Sequence, residues 1–176
     1  MTHLIIILFL FAASLPVGSP QAAWKEFSSP EGGFLVMLPR PPEMNKMTVP
    51  TKTGPVDAFS FLAKDENANE FMVTYSEYPG MNTGEARAER IFDGARDGLT
   101  LAQQGRLLSE TRITLDGHPG RAIVVERPDG SVQKMVCYLV NQRFYQVAVE
   151  TQRSKEDAQR IEGFFNSFRL LPAKRL

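Results

Sequence analysis

The chain has 176 residues, with 20 Lys+Arg against 20 Asp+Glu, two histidines and one cysteine. A charge balance of zero provides no field to gather nucleic acid or an anionic membrane surface, and 23% charged with 43% hydrophobic residues is a globular composition. One cysteine excludes an intramolecular disulfide, and the length suits a single domain.

The first charged residue is Lys25. Before it, Leu4–Ala13 is an unbroken apolar run, about 15 Å long as a helix and half the thickness of a bilayer core. Pro16, Gly18 and Pro20 break the run, and Ser19, Ala22 and Ala23 are small enough to flank a cleavage site. That order of features is a secretory signal peptide over 1–23, which predicts an exported protein, periplasmic or extracellular. The alternative is an uncleaved anchor that tethers the domain, since Met1-Thr2-His3 carries no basic residue. With the leader removed, no stable membrane insertion is expected. Lys174 and Arg175 make 173–176 a short basic tail.

From Trp24 onward, most of the chain is strand-like, in short blocks separated by turn residues. Trp24–Phe27 and Phe34–Leu38 flank the turn Pro30-Glu31-Gly32-Gly33. Met44–Val49 and Val56–Ala63 flank Pro50–Pro55, which reads as a long hairpin loop, and Phe71–Tyr78 follows a polar loop at Asp65–Asn69. Later strands are expected at Leu107–Leu115, Arg121–Arg127, Val132–Val140 and Arg143–Thr151. Their connections are too short for parallel crossovers, so neighbouring strands run antiparallel. Both faces of Val132–Val140 are apolar from Met135 onward, which predicts a strand covered on both sides.

Two segments follow helical spacing instead. Asn82-Thr83-Gly84-Glu85 resembles a capping box, and Ala88, Ile91, Phe92, Ala95, Leu99 and Ala102 then mark one face of a helix that Gly105 ends. Gly94 and Gly98 within it suit a close approach to the sheet. A second helix is expected from Ser154, with Asp157 in its first turn and Ala158, Ile161, Phe164, Phe165 and Phe168 on its apolar face. The class is α+β: an antiparallel β-sheet flanked by helices or long segments.

Three stretches carry a family resemblance. They are Leu115-Asp116-Gly117-His118-Pro119-Gly120-Arg121, the run Cys137–Val147 through Asn141-Gln142, and Phe164-Phe165-Asn166-Ser167-Phe168-Arg169-Leu170. Phe27–Phe34 and Met37-Leu38-Pro39 extend it towards the amino terminus. The chain resembles small exported bacterial proteins of unknown function whose fold is similar to that of PsbP, an extrinsic photosystem II subunit, and of a Ran-binding nuclear-import factor. The resemblance implies one PsbP-like α/β/α sandwich over 24–172. It implies no photosynthetic or nuclear-transport role, because no functional residue of either relative is matched and fold alone does not determine function.

The side chains that carry chemistry are few. Loss of the leader takes His3, leaving His118 in the tight turn Gly117-His118-Pro119, where an exposed turn residue is expected rather than a catalytic base. Cys137 lies in an apolar strand and is expected to be a buried, inert thiol. Asp65, Asn67 and Asn69 match positions 1, 3 and 5 of a calcium loop. Glu70 then replaces the turn glycine and Ser76 the bidentate glutamate, so a solvated loop is expected. Glu85, Glu89, Asp93 and Asp97 recur every four residues with Arg87, Arg90 and Arg96 between them, which reads as a solvated helix face.

No catalytic residue, metal ligand or cofactor-binding residue is assigned. The expected interaction surface is Tyr75, Tyr78, Pro79 and Met81, where a strand runs into a loop rich in interface residue types. The functional expectation is an exported non-enzymatic domain that binds a protein or envelope component. The alternatives are a small ligand-binding protein or carboxylate-based hydrolase, and a membrane-tethered domain.

Overall fold

A computed structural model of the protein describes residues 24–51, 54–78, 84–102 and 104–172. The expected leader at 1–23, the basic tail at 173–176 and the expected Asn82 cap lie outside the described residues. The elements, in chain order, are β1 (Lys25–Ser29), β2 (Phe34–Leu38), β3 (Glu43–Thr51), β4 (Gly54–Lys64), β5 (Glu70–Glu77) and α1 (Glu85–Ala102). They continue with β6 (Arg106–Leu115), β7 (His118–Glu126), β8 (Ser131–Val140), β9 (Arg143–Gln152), α2 (Ala158–Ser167) and β10 (Arg169–Leu170).

Seven strands form one antiparallel sheet in the order β3-β4-β5-β9-β8-β7-β6. Consecutive strands pair through short turns, as their connections require. Asp116 (φ 50°) and Gly117 (φ 80°) fill the two-residue turn between the Leu115–His118 pair, and Asn141 (φ 55°) opens the turn before Arg143. Asn, Asp and Gly suit these places because they tolerate the left-handed region.

The β3–β4 hairpin is longer than its prolines imply. Its ladder continues through Pro50 opposite Pro55 to Thr51 opposite Gly54. Neither proline has an N–H, so the two fit where a cross-strand pair exchanges no hydrogen bonds, and Pro50 sits on an edge strand.

Two different layers cover the two faces of this sheet. On one face α1 lies against β7, with Ala88 and Phe92 packed among Ile123, Val125, Met135, Cys137, Leu139 and Phe144. On the other face Phe34, Val36 and Leu38 of β2, with Ile161, Phe164 and Phe168, meet Phe61, Phe71, Val73, Tyr138, Val147 and Val149. Strand alternation divides β8 between the layers: Met135, Cys137 and Leu139 face α1, while Val136, Tyr138 and Val140 face the second cluster. The protein is therefore built of antiparallel sheets with two helices.

The second layer differs from the simple helical cover expected. It is a three-stranded sheet, β1-β2-β10, with α2 packed on β2. β2 is its central strand, paired antiparallel with β1 on one side and with β10 on the other. Asp157 also differs in place: a 3-10 turn occupies Arg153–Lys155, and Asp157 caps α2 by accepting the Arg160 N–H at 3.1 Å. Gly94 and Gly98 do not approach the sheet, since an added Cβ would meet nothing within 4 Å at either position. Among the described residues, no helix is long and apolar enough to cross a membrane.

Candidate functional site

The β1–β2 turn is shaped by its own residues. The Gly33 N–H reaches the Ser29 carbonyl at 2.8 Å, and the Gly32 N–H donates to Ser29 Oγ at 3.0 Å. A side chain at Gly32 would strike the Phe34 ring, and Gly33 has φ +68°. This turn presents the Gly32 carbonyl to β9, where Arg143 Nη1 and Tyr145 Oη each donate to it at 2.7 Å. The contact ties the small sheet to the large one.

Arg143 does more than close the layers. Its register partner on β5 is Glu77, whose carboxylate accepts from Arg143 Nε at 3.1 Å and from Nη2. The guanidinium also lies 5.0 Å from the Tyr75 ring centre. Burial pulls the Arg143 guanidinium down while hydrogen bonding to Glu77 pushes it up, and the net direction is up. Burial raises both the Tyr145 and Tyr75 phenols, so both remain protonated at neutral pH.

Around this centre the surface is concave twice over. A cleft of about 690 Å³ is lined by Glu31, Glu77, His118, Arg143, Tyr145 and the chain end at Leu170–Pro172, among others. An adjoining groove of about 540 Å³ includes Glu31 and Glu77 again, with Thr48, Asp57, Phe59 and Tyr75. Phe59 and Tyr75 stack at 4.9 Å with 14° between their planes, and Lys46 Nζ lies 5.2 Å from the Phe59 ring centre. Lys46, Phe59, Tyr75 and Arg143 thus form a ladder with a cation at each end. Lys46 and Thr48 both donate to Asp57, at 2.7 and 2.8 Å, and hold its carboxyl below the usual range.

The expected interaction surface is not a single patch. Tyr75 is 5% exposed and belongs to the core beneath the small sheet, whereas Tyr78 packs on the opposite, α1-side cluster. Strand alternation separates them, because residues three apart on an extended chain point to opposite faces. Pro79 and Met81 lie outside the described residues. Of the two described, Tyr75 lines the smaller groove.

His118 is half-buried at the first position of β7 and lines the larger cleft, rather than standing exposed in a turn. Cys137 is fully buried, with Sγ 3.6 Å from the Arg121 carbonyl, and burial pushes its thiol up to about 12. The 65–69 loop is not solvated at its ends: Asp65 and Asn69 are buried. Asp65 Oδ1 accepts from the N–H groups of Asn67 and Asn69, both at 2.9 Å, and Oδ2 from Asn69 Nδ2 at 3.0 Å. The carboxylate that would open a calcium loop is turned onto its own backbone. Among the described residues, no three His, Cys, Asp or Glu side chains gather as a metal site would require.

The acidic row of α1 is also not merely solvated. Glu89 and Asp93 reach down to Arg121 of β7, whose side chain is 8% exposed and also binds Glu110 of β6. Of the helix's own arginines, Arg96 joins this network through Asp93, Asp97 and Glu110. Hydrogen bonds from Arg121 hold the Glu89 and Asp93 carboxyls below their usual range. This cluster fastens α1 to the sheet and is a structural latch.

Glu31, Phe59, Glu77, Arg143 and Tyr145 escape sequence reasoning as a group. The one local signal is that Arg143 and Tyr145 stand two apart in a strand and so share a face. Their meeting with the Glu31-Gly32 turn depends on contacts more than a hundred positions apart in the chain.

No protein-family model matches the chain, and no curated protein matches it in sequence. In three dimensions it is similar to the solution structure of cyanobacterial PsbP (CyanoP) from Synechocystis sp. PCC 6803. That match has a TM-score of 0.59 at 15% sequence identity and covers 90% of this chain and 98% of the other. At that identity the likeness establishes architecture, and the fold is PsbP-like.

Proposed function

We propose that this protein is an exported, non-enzymatic domain that binds a protein or envelope component at the joined clefts around Glu31 and Glu77. One observation supports this most: the concave surface is built from residues already committed to each other. Arg143 is held by Glu77 and the Gly32 carbonyl, and Tyr145 by the same carbonyl. Such fixed polar groups form a preorganised docking surface, whereas general acid–base work needs groups free to exchange protons. The apolar leader at 1–23 supports export.

Photo-crosslinkers placed at Glu31 and Gln142 in the native envelope test the binding role, with one at exposed Gly98 on α1 as control. The expected result is one reproducible adduct from the cleft positions and none from Gly98. Identical adducts from all three positions, or none, overturn the reading. Intact mass of the exported protein tests the leader, since retention of residues 1–23 would support the tethered alternative.

A small-ligand or hydrolase reading draws support from the same cleft, which gathers Glu31, Glu77, Tyr145 and Arg143 in about 690 Å³. Paired-carboxylate hydrolysis needs two acids with separate roles. Here Glu77 is bound to Arg143, which leaves Glu31 alone. Turnover of a glycoside or ester panel that disappears in Glu31→Gln would favour the enzyme.

A further inference from the structure

The smaller groove has a chemical bias. Glu31, Asp57 and Glu77 line it, and among the described residues none of its lining side chains is Lys or Arg. Asp57 is neutralised by Lys46, and Glu77 by Arg143. Glu31, exposed on its turn, makes no ion pair or hydrogen bond among the described residues. Tyr75 supplies a second open group. It is 95% buried and lines the groove, yet its hydroxyl has no hydrogen-bond partner among the described residues. The ring is buried but its hydroxyl reaches solvent at the groove, where it can accept a hydrogen bond from an incoming donor.

We propose that this groove receives a lysine or arginine side chain from an extended segment of a partner protein. The inference deepens the binding role above and rests on it. An incoming ammonium or guanidinium satisfies both open groups at once: it pairs with Glu31 and donates to the Tyr75 hydroxyl. An anion would instead face the unpaired Glu31 carboxylate, and an apolar side chain would leave both Glu31 and Tyr75 unpaired.

The edge of the sheet explains why the cation belongs to a polypeptide. Thr48 lines the groove and lies on β3, whose outer side pairs with no other strand among the described residues. Because Pro50 and Pro55 form a pair without hydrogen bonds, alternation places Thr48, opposite Asp57, in another such pair. Its N–H and C=O therefore point away from β4, where an extended chain can bond to them. A main-chain anchor thus stands beside a pocket for a basic side chain.

The test is a titration of the 15N-labelled protein, purified as the expressing cell leaves it. The probes are the pentapeptides Gly-Gly-Arg-Gly-Gly, Gly-Gly-Lys-Gly-Gly and Gly-Gly-Glu-Gly-Gly, and spermidine. The basic peptides are expected to shift the amide signals of Glu31, Thr48, Asp57 and Tyr75 saturably, while the glutamate peptide leaves them in place. Glu31→Gln and Tyr75→Phe, both near-isosteric, are each expected to weaken the arginine peptide by about fivefold or more. Equal response to the glutamate peptide, no response to any peptide, or unchanged affinity in both variants overturns the proposal. Spermidine binding tighter than both basic peptides, without movement of Thr48, overturns it in favour of a free polyamine. A crosslinked partner at Glu31 together with silent basic peptides refutes this inference while leaving the broader binding role standing.

Discussion

Arg143 and Tyr145, two residues apart on β9, donate to the same oxygen: the Gly32 carbonyl accepts from both at 2.7 Å. This shared acceptor joins the three-stranded sheet to the seven-stranded one at the rim of the candidate site. The Leu171 N–H closes the same corner by donating to the Gly33 carbonyl at 2.9 Å. The candidate site and the junction between layers are therefore one construction.

Tyr145→Phe removes one of the two donors and keeps the ring packed against Phe34 and Phe168. The Gly32 carbonyl retains Arg143, so the expected loss is about 1 kcal/mol in urea denaturation. Arg143→Met should cost more, because Glu77 and the Gly32 carbonyl then lose a donor together. A Tyr145→Phe loss as large as that of Arg143→Met would contradict the shared-acceptor account.

Acid should loosen α1. Glu89 and Asp93 titrate lower in the folded protein than in the unfolded chain because Arg121 hydrogen-bonds to them. Their contribution is therefore complete above the unfolded carboxylate values and is lost as pH falls through the lower folded ones. The urea midpoint should hold between pH 7 and about 5 and then decline below about 4.5. Arg121→Met should lower the midpoint at neutral pH, where Glu89, Asp93 and Glu110 then face one another, and the two curves should converge in acid. Parallel curves would argue against the latch.

Gly94 and Gly98 face open space on α1. Replacing either with alanine removes backbone freedom from the unfolded chain without a clash, so each should stabilise by about 0.5–1 kcal/mol. Gly120 is the opposite case, since a Cβ there would lie 2.4 Å from the Cys137 carbonyl and 2.5 Å from the Tyr138 ring. Gly120→Ala should destabilise by about 1–3 kcal/mol. Denaturation of the three variants side by side checks both signs.

Cys137 should resist a thiol reagent at pH 8 in the native protein and react stoichiometrically in urea, because burial both blocks access and keeps the sulfur protonated. Fast native labelling would contradict its place under α1.

Strand identity was legible because alternation is local: a face is set by every second residue, as in Phe34, Val36 and Leu38. The double cover of β8 was visible for the same reason, and so were the two helices, whose apolar spacing is their own. The β3–β4 hairpin was misjudged because prolines end strands only where an N–H is needed, and an edge pair opposite another proline needs none. The acidic row of α1 seemed solvated because Arg121 lies 28 residues beyond Asp93 and meets it only when the helix crosses the sheet.

By itself the amino-acid sequence determined the class, most of the strand and helix segments and the burial of Cys137, all from short-range patterns of side-chain polarity. Tertiary structure alone decided that Tyr75 and Tyr78 part to opposite faces, and that Glu31, Glu77, Arg143 and Tyr145 surround one cleft. The reason is physical: burial faces follow from neighbours in the chain, whereas a polar site is assembled by contacts such as Gly32 to Tyr145, 113 positions apart, which no local periodicity encodes.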